Sequence, residues 1–172
     1  MEVHISEMAF TSMVLAALEA YRKETYGLLL GQRTNRGLVV QFAVPYQTAD
    51  RHTSWVQRNE KAHDRMEKFL ENFHHMSLVG DFHSHIERRG QKALCRLSSI
   101  DTKALQHNDV GIVLALNARQ KTQPWKVTRD GFLSGTVDDF FVKLGAWTRS
   151  NNGHLAAKAT LFCPFALGFN WK

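Results

Sequence analysis

The chain is poor in cysteine, in long apolar runs and in repetitive sequence, and each scarcity argues against a class of protein. Cys95 and Cys163 lie far apart with no C-x-x-C spacing, so neither a disulfide framework nor a thiolate zinc site is suggested and an intracellular, cytoplasmic protein is expected. No apolar stretch approaches the roughly 20 residues of a membrane-crossing helix. MVLAALEA is too short, and ATLFCPFALGF is short and interrupted by Pro164. The start, MEVHISEMAF, lacks the basic head and apolar run of an export signal, so no export is expected, and without a spanning segment no membrane partner is expected either. No internal repeat or low-complexity tract occurs. The net charge of +6 invites a nucleic-acid reading, but the cations are scattered and no helix-turn-helix, zinc-finger or RNP signature accompanies them. Nucleic-acid binding therefore ranks as a minor reading, and a basic surface could equally attract an acidic protein.

What is present is a chain of 172 residues, 44% hydrophobic, which suits one domain over residues 1–172 with a sizeable core. Residues 8–22 place Met8, Phe10, Met13, Val14, Leu15 and Leu18 at near-helical spacing. ETYGLLLGQR, bracketed by Gly27 and Gly31, reads as a buried strand, and GLVVQFAVPY as a second that Pro45 closes. Residues 59–76 predict a helix with Met66, Phe69, Leu70 and Phe73 as its apolar stripe. It leads into the strand VGDFHSH. A short helix over 98–108 and the buried strand VGIVLAL follow. Asp130-Gly131 and Asn152-Gly153 suggest two hairpins. VDDFFVKLGAW suits either helix or strand, and the downstream Asn-Gly turn favours a strand. The sum is an α+β or α/β domain with several buried strands.

The chemistry concentrates in three places. A side-chain period of two sends His83 and His85 to one face of their strand, about 7 Å apart at the backbone, near enough to converge on one metal ion. Two solvated histidines at a strand end are the alternative in a chain with nine histidines. Ser98 and Asp101, three apart at a helix start, share a face and could look into the same site; the same S-x-x-D pattern is also a capping box. Glu24 precedes the first buried strand, and taken alone could be a surface carboxylate.

Together and in this order these fragments resemble the JAMM (MPN+) zinc metalloprotease family. ETYGLLLG is similar to its glutamate strand E-x-x-G-x-L-x-G, VGDFHSH to its V-G-x-x-H-S-H strand, and S-x-x-D follows at a helix start, the whole covering residues 10–116. The compact length resembles that of prokaryotic stand-alone members. The resemblance implies an MPN/JAMM-like, cytidine-deaminase-like sheet flanked by helices. It implies His83, His85 and Asp101 as ligands of Zn²⁺, Glu24 as the general base that takes a proton from the attacking water, and Ser98 as a hydrogen-bond donor to the developing oxyanion. Such a donor set, two neutral imidazoles and one carboxylate, leaves a zinc site with net positive charge. The activity implied is cleavage of a peptide or isopeptide bond at the C-terminal tail of ubiquitin or a ubiquitin-like or sulfur-carrier protein. A catalytically silent MPN-type scaffold that binds other proteins is the alternative.

Two features depart from the pattern. Ile86 stands where the family usually has Pro after H-S-H, and the segment 86–97 between the second His and the Ser is longer than usual. Loop insertions are cheap because closure cost grows only logarithmically with length. This one carries Arg88, Arg89, Lys92 and Arg96, with Gly90 as a pivot, and reads as a solvated loop or as a cationic lip that recognises substrate. Cys95 within it is expected to be inert. Asp81 shares the face of His83 and His85 and is expected to orient a ligand rather than compete for metal. His74 and His75 are expected at a helix end.

Overall fold

The computed structural model describes residues 1–51, 56–57, 59–149 and 156–168. The chain opens with a strand the sequence reading did not anticipate, β1 (Glu2–Ile5), followed by α1 (Glu7–Glu19). Ser6 starts the helix, its hydroxyl oxygen accepting the Ala9 N–H at 3.1 Å. Ala9, Phe10, Met13, Val14, Ala16 and Ala17 form its buried face. Met8 and Leu15, expected on that face, are 64% and 60% exposed.

Next come β2 (Tyr26–Thr34), β3 (Gly37–Pro45), and the short pair β4 (Asp50–Arg51) and β5 (Val56–Gln57). The second helix, α2 (Glu60–Leu70), stops well before residue 76. The Asn72 side chain donates to the carbonyls of Lys68 and Phe69, both at 3.1 Å, satisfying the helix end and diverting the chain. His74 and His75 therefore sit beyond the helix rather than at its end. The expected apolar stripe is also corrected. Phe69 is 64% exposed and only His63 is buried on this helix.

The remaining elements are β6 (Ser77–Ile86), α3 (Ser99–Ala104), β7 (Val110–Ala118), β8 (Lys126–Val127), β9 (Leu133–Val137), β10 (Phe140–Thr148), β11 (Ala157–Phe162) and α4 (Pro164–Leu167). The hairpin expected at Asp130-Gly131 joins β8 to β9. VDDFFVKLGAW is a hairpin corner running into a strand. Val137 pairs with Phe140 across Asp138 and Asp139, with Asp138 at φ +47°, and Val142, Leu144, Ala146 and Thr148 alternate into the core. β10 and β11 pair antiparallel, while Asn152-Gly153 lies outside the described residues.

Among the described residues nine strands make one sheet in the order β11-β1-β3-β2-β6-β7-β10-β9-β8, and β11 also bonds β10, so pairing runs round from β1 to β10 and back through β11. α1 packs its apolar face into the same core as Val40, Val79, Phe82, Ile112, Leu114 and Leu161. Among the described residues no helix is long and apolar enough to cross a membrane.

One irregularity decides where the histidines point. Leu29 pairs with Gly80 and Leu30 with Leu78, which leaves Val79 as an extra residue, a β-bulge on β6. A bulge shifts side-chain alternation by one. Leu78 faces a cleft on the sheet surface before it, and Asp81, His83 and His85 face the same cleft after it. Gly80 suits the site because its φ is +150° and a Cβ there would lie 1.9 Å from the Val110 carbonyl oxygen. Phe82, fully buried beside Gly27, holds the opposite face in the core. Burial of such a ring contributes about 1.5–3 kcal/mol, which fixes the phase of the strand.

Candidate metal centre and its surroundings

β6 carries His83 and His85 side by side, ring centroids 5.0 Å apart. One nitrogen of each and one carboxylate oxygen of Asp101 all lie within 4.8 Å of one another. His83 Nε2 is buried, lies 3.5 Å from Asp101 Oδ2, and has no hydrogen-bond partner among the described residues. A buried ring nitrogen left in that state is costly unless something occupies it. His85 Nδ1 is 2.7 Å from the Leu94 carbonyl oxygen. That oxygen can only accept, so Nδ1 carries the proton and Nε2 keeps a free lone pair, the tautomer a metal ligand needs. Burial, the largest influence, lowers the His85 pKa and so favours the neutral ring. The donor set therefore fits a divalent cation.

Asp101 reaches the cluster from α3, and the capping reading of S-x-x-D is also correct. The Ser98 hydroxyl oxygen accepts the Asp101 N–H at 3.1 Å, and Asp101 Oδ2 accepts the Ser98 N–H at 2.6 Å. The two readings are compatible because the box that starts the helix also aims the carboxylate at His83. Burial raises the Asp101 pKa, but the His83 imidazole and both donors of Ser98 outweigh it and hold the carboxyl far below the usual range. His83 shows the reciprocal effect. Burial is its largest influence and lowers the pKa, yet the carboxylates of Asp101, Asp81 and Glu24 together raise it.

Glu24 lies just ahead of β2, beside Thr25. Thr25 donates its N–H to Ser84 Oγ at 2.9 Å and accepts the Ser84 N–H at 3.0 Å. Ser84, between the two histidines, thus ties the segment carrying Glu24 to the histidine strand. The Glu24 carboxylate is 12% exposed, and burial raises its pKa against the lowering effects of His83 and Arg88. Such a carboxyl holds a proton more readily than a solvated one. Arg88 Nη2 lies 3.6 Å from Glu24 Oε1.

All five residues picked from the sequence, Glu24, His83, His85, Ser98 and Asp101, line one cleft of about 800 Å³ between α2 and α3. Asp81 lines it too, but its carboxylate accepts the Tyr26 hydroxyl at 3.3 Å and is not part of the three-ligand cluster. On the α2 side, buried His63 has Nδ1 2.5 Å from the Tyr46 hydroxyl and Nε2 3.1 Å from Glu67 Oε1. Sequence reasoning missed Ser84, the Leu94 carbonyl and the inward turn of Arg88. The middle position of H-S-H was a signal for the first, whereas the others depend on how the 86–97 segment packs. Arg89, Lys92 and Arg96 of that segment are exposed. Burial pushes the Cys95 thiol up to about 12, consistent with an inert side chain.

The solution structure of protein DSY2949 from Desulfitobacterium hafniense matches with a TM-score of 0.65 at 16% identity, covering 94% of this chain and 92% of that one. At that identity the likeness is one of fold. No curated protein matches the chain. The family model described as JAB1/Mov34/MPN/PAD-1 ubiquitin protease matches residues 1–108, a span that holds Glu24, both histidines, Ser98 and Asp101. The chain belongs to that family.

Proposed function

We propose that the protein is a zinc-dependent peptidase or isopeptidase acting on the C-terminal tail of ubiquitin or a ubiquitin-like or sulfur-carrier protein. The observation that carries this reading is the meeting of His83, His85 and Asp101 beside a mostly buried Glu24, with His83 Nε2 left without a hydrogen-bond partner. Family members include proteases, and the family description names ubiquitin.

His83, His85 and Asp101 would hold the ion, which when bound acts as a Lewis acid, lowering the pKa of water and polarising a carbonyl. Glu24 takes a proton from the attacking water as the new C–O bond forms. It returns that proton to the nitrogen as the C–N bond breaks, releasing a carboxylate and an amine. Its raised pKa suits a group that must accept a proton and then give it up. The Ser98 O–H donates to the oxygen that gains negative charge. Leu94, through its carbonyl, keeps His85 in the ligating tautomer.

The test is incubation of zinc-loaded protein with ubiquitin-like and sulfur-carrier fusions, with and without chelator, read by intact mass. Chelator-sensitive cleavage after the tail is the expected result. A protein that holds no zinc as purified and gains no thermal stability from added zinc would instead be a silent, protein-binding member of the family.

A further inference from the structure

We infer that the segment after the paired histidines is a fixed wall of the site, and that its Arg88 is a positioning residue that holds the Glu24 carboxylate in place. The inference rests on the peptidase reading for its catalytic consequence, but not for the geometry.

The segment is strapped to β7 along its length. Glu87 donates its N–H to the Leu116 carbonyl at 3.0 Å, and its side chain accepts the Ala118 N–H at 3.0 Å. Arg88 and Gln91 exchange backbone hydrogen bonds at 3.0 and 2.6 Å around Arg89 and Gly90, whose φ angles are +44° and +78°. Positive φ at both central residues is the geometry of a tight hairpin turn, which here sets the direction of Arg88 at its first position. Beyond the turn, the Asn117 side chain accepts the Ala93 N–H at 2.7 Å and donates to the Ala93 carbonyl at 3.2 Å. Leu94 then holds His85, and Cys95 Sγ lies 3.3 Å from the Val113 carbonyl oxygen. A segment anchored at both ends and across a tight turn presents Arg88 from a defined backbone.

Arg88 Nη2 is 3.6 Å from Glu24 Oε1, and among the described residues no other cation lies within ion-pair distance of that carboxylate and nothing hydrogen-bonds it. With the guanidinium 34% exposed, solvent screens the pair and its contribution to stability is small. Its effect is therefore geometric: it selects one orientation of a carboxylate that accepts no hydrogen bond from any described residue. A base must be within hydrogen-bond reach of the proton it takes, so loss of that orientation slows turnover more than it weakens binding.

The experiment compares zinc-loaded wild type, Arg88→Ala and Arg88→Lys by steady-state cleavage, zinc content and crystal structure. In Arg88→Ala, kcat is expected to fall tenfold or more, with KM and zinc content within twofold of wild type. Arg88→Lys, or guanidinium ion added to Arg88→Ala, should recover part of the loss. In the crystals Glu24 should occupy one rotamer in wild type and several in Arg88→Ala. An unchanged Glu24 with unchanged kcat overturns the inference, and a raised kcat overturns it in favour of a lock that restrains the base. If wild type shows no chelator-sensitive cleavage the peptidase reading fails, while the two crystal structures still decide whether Arg88 holds Glu24.

Discussion

Asp101 has two structural duties, and substitution can separate them. Its carboxylate accepts the Ser98 N–H at 2.6 Å, closing the capping box of α3, and it belongs to the three-ligand cluster with His83 and His85. Asp101→Asn weakens the cap and removes the anionic ligand, whereas Ser98→Ala weakens the cap and leaves the three candidate ligands in place. A lost cap costs about 1 kcal/mol. In a chain of this length each kcal/mol moves Tm by about 2–4 °C, so Ser98→Ala should melt about 2–4 °C below wild type when metal-free, and Asp101→Asn lower still because it also loses the charge 3.5 Å from His83 Nε2. Zinc at 100 times its dissociation constant adds about 2.7 kcal/mol to a protein that binds it only when folded, a rise of about 5–11 °C. Wild type and Ser98→Ala should show that rise, and Asp101→Asn should lose most of it. Scanning calorimetry of chelator-stripped and zinc-loaded samples, with metal content measured on the same samples, gives both numbers. If Asp101→Asn keeps the full zinc-dependent rise, Asp101 is a cap and not a ligand, and the proposed centre is wrong.

Glu24→Gln should bind zinc as wild type does while turnover falls by about 10²–10⁴, the usual contribution of a general base, measured by intact mass on a cleaved fusion. His63→Ala removes the one buried side chain of α2 and a hydrogen-bond partner of the Tyr46 hydroxyl; a cost of about 1–3 kcal/mol in urea denaturation is expected, with zinc content unchanged. The metal-free protein should also show a defined pH response. His83 has a raised pKa, so its stabilising contribution is full below its ordinary value of 6.5 and is lost as pH rises through the raised one. The depressed Asp101 contributes above its ordinary 3.8 and loses that contribution only as pH falls through its lower folded-state value. Zinc requires the neutral imidazole, so the stability gained from zinc should grow between pH 6 and 8, and a gain that shrinks over that interval would contradict the assignment of His83.

The buried strands and the histidine strand were legible because their apolar runs and period-two spacing are local properties. The short helix at Ser98 was legible for the same reason, since a capping box involves only four consecutive residues. α2 misled the reading because Met66, Phe69, Leu70 and Phe73 satisfy helical periodicity although the helix ends at Leu70 and Phe69 faces solvent. What ends it is the Asn72 side chain on the carbonyls of Lys68 and Phe69, a competition that hydrophobic spacing does not report. β1 is only four residues long, and its place between β3 and β11 joins the two ends of the chain in one sheet. No local pattern encodes such a pairing.

The site shows the same division between local and distant causes. Period two places His83 and His85 on one face but leaves open which face; the choice is made by the extra residue Val79 and by Phe82 in the core. Without that bulge, the phase that turns Leu78 into the cleft would carry Phe82 and Ser84 there and send both imidazoles toward α1. The other charged groups of the site come from three further segments. Asp101 arrives on a helix begun by Ser98, Glu24 on a turn tied to Ser84, and Arg88 on a hairpin strapped to β7. Hydrogen bonds fix the backbone that carries each of them, and Arg88 Nη2 then lies 3.6 Å from Glu24 Oε1. The backbone thus sets where these charged groups meet, and the buried His83 Nε2, with no hydrogen-bond partner among the described residues, lies at the point where they converge.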